Sequence, residues 1–395
     1  MSPVSTRLAS PELRASLFQF TVYLPGAVSS VFLGIWLSEH GLAGDQIGLI
    51  NSVPMLCLLL LNMVVGRVAD QAKDWRSVII VVALLSAAAP IGLFWVNEFW
   101  GILLFWCLCT MSGGLVPPLI DAATVRMTRR NGTDFGAVRA WATVGYVVGT
   151  GLIGLLITVY GASAFVPLFL AMSVLRAALG FLLPRFRAPD HQQTLGELVD
   201  RPKLRDALKL WFVLPLVAFA LVNSSNAVVG GFAALLWLET GVPDYYFGPL
   251  LAIAAAAEAV LMFAWRSFGG RITARTMILL AAFSGLVRFT AMAFSPPVEV
   301  LFLVQMLHAL SFGLGYFGVV HFIANWTDES NAAEAQGFAN MLQQGASMLA
   351  LIIFGVLFEH FGAHAFFYST VTASVAVVCV LASLRLRPPK DALAA

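Results

Sequence analysis

Five ionisable residues lie within long apolar stretches of this sequence, namely Asp121, Arg139, Glu258, Arg288 and His308. An ionisable side chain inside a bilayer is costly, and it normally faces a partner or a water-filled cavity. Asp121 and Arg139 lie on consecutive apolar stretches and could form an ion pair. The other three lie on three successive stretches and could form a second cluster. Such clusters bind polar ligands or exchange protons, and ion pairs that only lock helices together are the alternative interpretation.

The chemistry differs between the two clusters. Arg139 offers a planar, permanently charged guanidinium that suits a carboxylate or a pair of hydroxyl groups. Glu258 is a carboxyl group that we expect to lie near Arg288 and His308. Burial favours the protonated form of a carboxyl group, whereas a nearby cation favours the ionised form. Movement of either neighbour could therefore switch the protonation of Glu258, so the sequence predicts ligand binding at the first cluster and proton coupling at the second.

Four further residues are candidates for contact with a substrate: Tyr23, Trp141, Tyr146 and Asn226. Each lies in an apolar stretch, where polar groups also mediate packing between membrane helices. The chain contains 30 Phe and 10 Trp, so any single aromatic side chain more often packs or faces lipid than contacts a ligand. For these four residues the packing interpretation stays open beside the functional one.

The elements that must hold these residues are membrane-spanning helices. Only 11% of the 395 residues are charged and 59% are hydrophobic, whereas a soluble domain carries about 25% charged residues. A helix crosses the hydrocarbon core of a bilayer with about 20 apolar residues. Twelve segments of that kind occupy most of the chain, at about 14–38, 46–68, 77–98, 100–126, 135–160, 163–184, 208–238, 245–267, 273–295, 299–325, 332–358 and 363–386.

The distribution of positive charge supports this count. The longest polar stretch is predicted to be a cytoplasmic linker at 185–207, between six-helix bundles at 1–184 and 208–395. With the N-terminus in the cytoplasm, 20 of the 23 Lys and Arg fall on cytoplasmic segments, as the positive-inside rule requires. The other three lie within spans, and the side chain of Arg176 is expected to extend to the membrane interface. We therefore expect twelve transmembrane helices with both termini in the cytoplasm.

Other functional classes lack support in the sequence. The four cysteines lie inside apolar segments, at spacings that suit neither a metal site nor a disulfide framework. No metal-ligand cluster, activated nucleophile or phosphate-binding loop is evident, so neither an enzyme nor a bound cofactor is expected. No basic patch with interleaved aromatic residues indicates nucleic acid. The expected partners are a small-molecule substrate, protons and the lipid bilayer, with the chain acting as a monomer.

A four-point pattern carries a resemblance to a known family. Residues 117–121, Pro-Pro-Leu-Ile-Asp, and 134–139, Asp-Phe-Gly-Ala-Val-Arg, place an acid and an arginine 18 positions apart. Glu258, Arg288 and His308 complete the pattern. It resembles the lactose permease and 3-phenylpropionate permease group of proton symporters in the major facilitator superfamily, over most of the chain. The resemblance implies the major facilitator fold, with both clusters flanking a substrate site near the bilayer midplane.

Two departures from the lactose permease pattern bear on the function. Three residues after His308 the lactose permease has a glutamate, and this chain has Ser311. A serine hydroxyl does not carry the transported proton, so Glu258 or Asp121 becomes the expected carrier. At the aromatic stacking position of the fifth segment this chain has Tyr146, where the lactose permease has a tryptophan. The Ser311 departure fits the phenylpropionate branch better than the sugar branch.

Three functions follow as hypotheses for a multi-pass protein of the cell (inner) membrane. The favoured one is a proton-coupled importer of a small organic acid, with an aromatic monocarboxylate such as phenylpropionate as the example. Its carboxylate would bind Arg139 or Arg288, and its ring would contact aromatic side chains such as Trp141 and Tyr146. The first alternative is a proton-coupled sugar or nucleoside symporter. The second is a proton-driven drug exporter, although the proline-glycine signature of such exporters is not evident in the fifth segment.

Overall fold

The computed structural model describes residues 10–71, 74–186, 209–268, 272–326 and 329–387. All regular secondary structure in these ranges is helical, which confirms the expected all-α class. The α-helices in the described ranges are labelled α1 to α14 in chain order: Pro11–Val22, Leu24–Glu39, Gly44–Gln71, Trp75–Ala88, Phe99–Asn131, Phe135–Tyr160, Phe165–Gly180, Leu210–Glu239, Phe247–Phe268, Ala274–Ala293, Val298–Met306, Gly315–Trp326, Glu329–Phe361 and Phe366–Leu386.

Ten segments of the described chain are long and apolar enough to cross a membrane. Two of these segments, Pro11–Glu39 and Val298–Trp326, each join two helices, and the segment Ala335–Leu386 extends over most of α13 and all of α14. The helix α3 is not among the ten. The number of twelve transmembrane helices and the cytoplasmic position of both termini therefore stay predictions.

The chain divides into two compact units. Unit 1 comprises Met1–Gln193 and Pro243–Ala252, and unit 2 comprises Thr194–Val242 and Ile253–Ala395. Most of the predicted linker falls in 187–208, outside the described residues. The predicted bundle boundaries at 184 and 208 stay predictions.

In unit 1, the first span is interrupted at Tyr23, one of the residues predicted to contact a substrate. Tyr23 has φ −102° and ψ 4°, outside the helical range, and separates α1 from α2. The interruption has a local cause, because Pro25 has no backbone N–H to bond the carbonyl oxygen of Thr21, four residues earlier. The N–H of Tyr23 bonds that carbonyl oxygen instead.

Arg176 of α7 forms a hydrogen bond to the chain next to this interruption. Its Nη1 donates to the carbonyl oxygen of Val22 at 3.0 Å, and its Nη2 donates to the hydroxyl of Ser86 at 2.7 Å. Arg176 is only 4% exposed. The prediction that its side chain extends to the membrane interface is therefore wrong, since two inward-facing acceptors hold the guanidinium inside unit 1.

The helices α1 and α6 pack against each other at very short range. An added Cβ at Gly145 of α6 would lie 1.8 Å from the carbonyl oxygen of Phe20, so only glycine permits this approach of the two backbones. Around this contact the core of unit 1 contains Phe18, Ile120 and Val138. The close packing places the polar residues of the first span directly beside those of α6.

The segment that follows α7, residues 181–186, collects arginine side chains from three other helices. Arg76 of α4 donates to the carbonyl oxygen of Phe181 at 2.7 Å, and Arg130 of α5 donates to that of Phe186 at 2.9 Å. Arg14 of α1 donates to two further carbonyl oxygens of the same segment. These arginines therefore anchor the end of α7 to the rest of unit 1.

Unit 2 is organised around α8 and α10, which both pack against α14. The core there contains large apolar side chains, including Phe219, Ile278, Phe322 and Val380. Between α11 and α12 the chain forms a π-helical turn, Ala309–Leu314. Such turns often mark functional sites, because the extra residue per turn re-aims neighbouring side chains. His308 lies immediately before this turn.

Candidate functional site

The first cluster joins α5 and α6 in unit 1. The Nε of Arg139 donates to Oδ2 of Asp121 at 3.0 Å, so the predicted ion pair is confirmed as a contact. The second carboxylate oxygen of Asp121 accepts from Nε2 of Gln19 at 2.9 Å. Each oxygen of Asp121 therefore accepts a hydrogen bond, one from the permanent cation of Arg139 and one from the amide of Gln19.

Tyr23 completes this cluster from the interruption of the first span. The Nη2 of Arg139 donates to the Tyr23 hydroxyl at 3.1 Å, and the guanidinium carbon lies 5.3 Å from the centre of the Tyr23 ring. A guanidinium at that distance over an aromatic face gains cation–π stabilisation. Three of the residues predicted to bind a substrate, Asp121, Arg139 and Tyr23, are therefore in contact, and their role in binding stays a prediction.

The ion pair is only partly buried, because the Arg139 and Asp121 side chains are 28% and 31% exposed. Both side chains can therefore be reached by a ligand. The carboxylate only accepts hydrogen bonds, and the guanidinium next to it only donates them. That combination can bind a ligand carboxylate through the arginine, or adjacent hydroxyl groups through both partners. The geometry of the pair is compatible with both substrate classes.

The two aromatic candidates on α6 behave differently. The Tyr146 hydroxyl donates to Oγ of Ser30 on α2 at 3.3 Å. Tyr146 follows Arg139 by seven residues, which places it on the same helix face about 10 Å further along the axis. Trp141 is 47% exposed, and within the described residues it takes no part in the hydrogen bonds of the first cluster. The structure therefore connects Tyr146, but not Trp141, to the first span.

The second cluster lies in unit 2 around Arg288 of α10, which is only 1% exposed. Its Nη1 donates to Oδ1 of Asn226 at 2.6 Å, and its Nη2 donates to Oε1 of Gln305 at 2.7 Å. The same Nη1 lies 3.4 Å from the Ser311 hydroxyl and 3.2 Å from Nδ1 of His308. The buried guanidinium therefore has four neighbours. Three of them are uncharged, and the fourth, His308, is uncharged when it binds a single proton.

Glu258 of α9 enters this cluster through the histidine. Its Oε2 lies 3.4 Å from Nε2 of His308, whereas Nδ1 of the same ring faces Arg288. The side chains of His308 and Glu258 are 21% and 20% exposed. The expected grouping of the three ionisable residues is confirmed, and the order of contacts is Glu258, then His308, then Arg288.

The π-helical turn supports the position of Glu258. An added Cβ at Gly313 would lie 3.3 Å from Cγ of Glu258 and 3.2 Å from a methyl carbon of Leu261. The absence of a side chain at Gly313 therefore leaves room for the Glu258 stem to reach His308. Gly313 therefore lies where the Glu258 side chain passes the π-helical turn.

An aromatic column continues from the imidazole along the same helix face. The rings of His308 and Phe312 are stacked with centres 5.3 Å apart and planes inclined by 3°. The ring of Tyr316 stacks on Phe312 at 6.2 Å and 17°. Tyr316 is 40% exposed. The column fixes the plane of the imidazole, and therefore the directions in which its two nitrogen atoms point.

Two residues of the clusters were missed as site residues by the sequence analysis, namely Gln19 and Gln305. Both are fully buried and each binds a charged partner, Asp121 or Arg288. Their spacing contained the signal. Gln19 precedes Tyr23 by four residues and Gln305 precedes His308 by three, so each shares a helix face with a site residue.

Metal ligation has no support in the described part of the chain, where no group of three or more His, Cys, Asp or Glu side chains could hold an ion. The thiols of Cys57, Cys107, Cys109 and Cys379 are all free.

Comparison with protein families agrees with the fold. Residues 13–369 match the family described as the MFS_1 like family. The chain belongs to this family of the major facilitator superfamily. It is therefore a multi-pass membrane transporter, located in the inner membrane in bacteria, and it is not an enzyme.

Relatives within the superfamily are similar over almost their whole length. The probable 3-phenylpropionic acid transporter of Escherichia coli (strain K12) is 25% identical over 396 residues, covering 97% of each chain. The maltose permease of Geobacillus stearothermophilus is also 25% identical, covering 94% of each chain. The sugar efflux transporter B of Salmonella typhimurium is 22% identical, covering 97% of this chain and 99% of its own.

A solved structure shows the same major facilitator fold. The nucleoside transporter NupG superimposes with a TM-score of 0.79 at 16% identity, covering 96% of this chain and all of the NupG chain. A bacterial homologue of the human lysosomal transporter Spinster, in an inward-facing and occupied conformation, superimposes with a TM-score of 0.71 at 15% identity. At these identities the similarity supports the fold alone.

Proposed function

We propose that this transporter imports a small organic acid together with a proton, by alternating access, and that an aromatic monocarboxylate such as phenylpropionate is the substrate class. One contrast between the two carboxyl groups carries the proposal. Asp121 pairs directly with the permanent cation of Arg139, whereas Glu258 contacts a histidine that is itself titratable. Glu258 can therefore accept a proton without breaking an ion pair to arginine, and Asp121 cannot.

The first cluster is suited to the substrate carboxylate. Arginine presents five N–H donors in a fixed plane, and Nε and Nη2 of Arg139 are directed at Asp121 and Tyr23. Both partners orient the guanidinium before a ligand binds, so less conformational entropy is lost on binding. The neighbouring Tyr23 ring offers an aromatic surface beside the carboxylate position. A small acid with an aromatic ring would use both features.

Charge balance also favours an acid over a neutral solute. Each cluster contains one acid and one arginine, so the two acids and two arginines carry no net charge when both acids are ionised. Binding of one monocarboxylate and one proton leaves that sum unchanged. A neutral sugar bound with one proton would raise the sum by one, and an unbalanced charge inside a bilayer is costly. Import of an acid with one proton avoids this cost.

Among the relatives, the probable 3-phenylpropionic acid transporter of Escherichia coli favours an acid as the substrate. A proton-coupled sugar symporter is the second candidate, because the paired acceptor and donor of Asp121 and Arg139 also match adjacent hydroxyl groups. The maltose permease and a sucrose permease of Escherichia coli are relatives that favour it. A nucleoside, the substrate named for NupG, is a related alternative. It also presents sugar hydroxyl groups, but it has a base where a disaccharide has its second sugar ring.

The test is uptake by purified protein in liposomes. Radiolabelled 3-phenylpropionate, maltose and a nucleoside are offered separately, with an inward proton gradient and again with the gradient collapsed by a protonophore. We expect accumulation of phenylpropionate that requires the gradient, and no accumulation of the other two. Gradient-driven accumulation of maltose or the nucleoside, without phenylpropionate, would establish the second candidate instead. Accumulation that occurs only when the proton gradient points outward would indicate exchange of substrate for protons, as in a proton-driven exporter.

A further inference from the structure

Asn226 of α8 contacts two members of the second cluster, Arg288 and His308. Its Oδ1 accepts from Nη1 of Arg288 at 2.6 Å, and its Nδ2 donates to the carbonyl oxygen of Val222 at 3.3 Å. The direction of the amide is thereby determined, because arginine cannot accept a hydrogen bond and a carbonyl cannot donate one. The oxygen of Asn226 must face the cluster.

The same oxygen lies 3.3 Å from Nδ1 of His308. That ring nitrogen therefore has two neighbours of opposite kind at almost equal distances. Arg288 is always a donor, at 3.2 Å, and Asn226 Oδ1 is always an acceptor. Nδ1 can consequently make a hydrogen bond with or without a proton.

With Glu258 ionised, one arrangement satisfies the ring. Nε2 carries the proton and donates to the Glu258 carboxylate, whose Oε2 is 3.4 Å away. Nδ1 is then unprotonated and accepts from Arg288. In this state the Asn226 oxygen binds Arg288 alone.

With Glu258 protonated, a second arrangement satisfies the hydrogen bonds of the His308 ring. One proton arrives at Nδ1, and the proton on Nε2 passes to Oε2 of Glu258. The N–H bond at Nε2 is broken, an N–H bond at Nδ1 and an O–H bond at Glu258 are formed, and the cluster has gained one proton. The Glu258 hydroxyl now donates to Nε2, while Nδ1–H donates to Oδ1 of Asn226. A carbonyl oxygen has two lone pairs, so Asn226 keeps its bond from Arg288.

We infer that Asn226 is a positioning residue for proton coupling, which supplies the acceptor that stabilises the Nδ1-protonated form of His308 when Glu258 carries the proton. The inference rests on the proposed coupling role of Glu258. The charged and titratable groups that face His308 are Arg288 from α10 and Glu258 from α9, and α8 contributes the uncharged amide. Asn226 thereby allows the proton-loaded state with a neutral imidazole, while the net charge of the cluster rises by one because Glu258 is neutralised.

Two substitutions at this position should change the pH dependence in opposite directions. Asn226→Leu removes the acceptor of Arg288 from both states and the acceptor of the His308 Nδ1–H from the proton-loaded state only, so transport should need more acid conditions and its pH midpoint should fall. One pH unit corresponds to roughly 1.4 kcal/mol, about the value of one hydrogen bond, so the expected fall is about one unit. Asn226→Asp keeps the shape and adds a negative charge that stabilises the extra proton, so its midpoint should rise.

The measurement is the initial rate of gradient-driven uptake between pH 5 and pH 9 for wild type and both variants in liposomes, with substrate counterflow as the second readout. Asn223→Leu, with the same change one helical turn earlier on α8, is the matched control and should keep the wild-type midpoint. Thermal unfolding of the purified proteins verifies folding. The isosteric Asp variant provides the test if the Leu variant does not fold.

Opposite shifts with retained counterflow would support the inference. Midpoints that stay at the wild-type value, or that move in the same direction in both variants, would overturn it. Equal loss of uptake and counterflow at every pH would assign Asn226 a structural role and overturn it as well. A wild-type protein whose uptake does not depend on a proton gradient would instead overturn the proposed function, so the two failures are distinguishable.

Discussion

Arg176 donates from Nη1 to the carbonyl oxygen of Val22 at 3.0 Å, directly before the interruption of the first span. Val22 is the residue next to Tyr23, whose hydroxyl accepts a hydrogen bond from Arg139 at 3.1 Å. A single buried arginine of α7 therefore holds the segment that presents Tyr23 to the first cluster. The contact links the packing of unit 1 to the geometry of its proposed substrate site.

Replacement of this arginine by lysine should destabilise the protein. Arg176→Lys keeps a buried positive charge but cannot reproduce the planar, two-point donation to Val22 and Ser86. Loss of one such hydrogen bond from a charged group costs about 1.5–3 kcal/mol, so the thermal unfolding midpoint in detergent should fall by several degrees. Ser86→Ala, which removes only the second partner, should lower it less. An Arg176→Lys protein as stable as the wild type would show that these hydrogen bonds contribute nothing.

Both clusters could be predicted from the sequence, because an ionisable side chain within an apolar stretch requires a partner. The 18-residue separation of Asp121 and Arg139 indicated neighbouring antiparallel helices, and the pair is in contact. The uncharged members Gln19 and Gln305 were not identified as site residues, because a single glutamine in an apolar helix is as typical of packing as of a site. Helix periodicity would have placed Gln19 beside Tyr23 and Gln305 beside His308.

Other features depend on tertiary contacts that no local pattern specifies. The Arg176 side chain is long enough to reach the interface, but the carbonyl oxygen of Val22 and the hydroxyl of Ser86 hold it inside unit 1. The order of contacts from Glu258 through His308 to Arg288 depends on the ring orientation, which the π-helical turn and the stacked Phe312 determine. The sequence predicted the group but not this order.

The second prediction separates the substrate classes at Arg139. Arg139→Lys should weaken binding of a carboxylate substrate by about 10- to 100-fold, since roughly 1.5–3 kcal/mol is lost with a charge-assisted hydrogen bond and every 1.4 kcal/mol is tenfold in affinity. Substrate-dependent thermal stabilisation of the purified variant measures this. Tyr23→Phe keeps the ring and removes only the hydroxyl acceptor, so it should weaken binding less.

Normal binding of every acid by Arg139→Lys, together with a dispensable Arg288, would end the organic-acid hypothesis. Sugar uptake by the wild type would then favour the second candidate.

The third prediction concerns the number of spans and the orientation of the chain. Single cysteines are introduced into a variant in which the four native cysteines are replaced. The positive-inside distribution predicts that an impermeant thiol reagent labels some sites in intact cells and spares others. The sites expected to react are Glu98→Cys, Asp244→Cys and Pro297→Cys, and those expected to be protected are Lys73→Cys, Asp190→Cys and Lys390→Cys. Reaction of sites from both groups would overturn the twelve-helix topology.

The fourth prediction concerns the charge carried in one transport cycle. Import of one monocarboxylate with one proton moves no net charge. Uptake into liposomes should therefore increase with the pH gradient and should not change when a potassium-diffusion potential is applied. A neutral sugar with one proton carries a charge of +1, for which 100 mV supplies about 2.3 kcal/mol. Accumulation of phenylpropionate driven by the potential alone would exclude this stoichiometry.

The last prediction concerns the coupling proton. Glu258→Gln should abolish uphill accumulation driven by a proton gradient, because an amide cannot take up or release the proton. Exchange of substrate by counterflow should survive, since the neutral amide resembles the protonated carboxyl group beside His308. Both activities are measured in the same liposomes, with the protein content determined for each preparation.

Asp121→Asn serves as the comparison, because Asp121 is paired with Arg139 and belongs to the proposed binding cluster. This variant should lose counterflow together with uphill uptake, since the neutral amide no longer orients the guanidinium for the substrate. Unchanged uphill transport in Glu258→Gln would exclude Glu258 as the coupling residue. Loss of both activities in Glu258→Gln would make it a ligand of the substrate or a structural anchor. Only the dissociation of the two activities at Glu258, and not at Asp121, assigns the proton to the carboxyl group that faces the histidine.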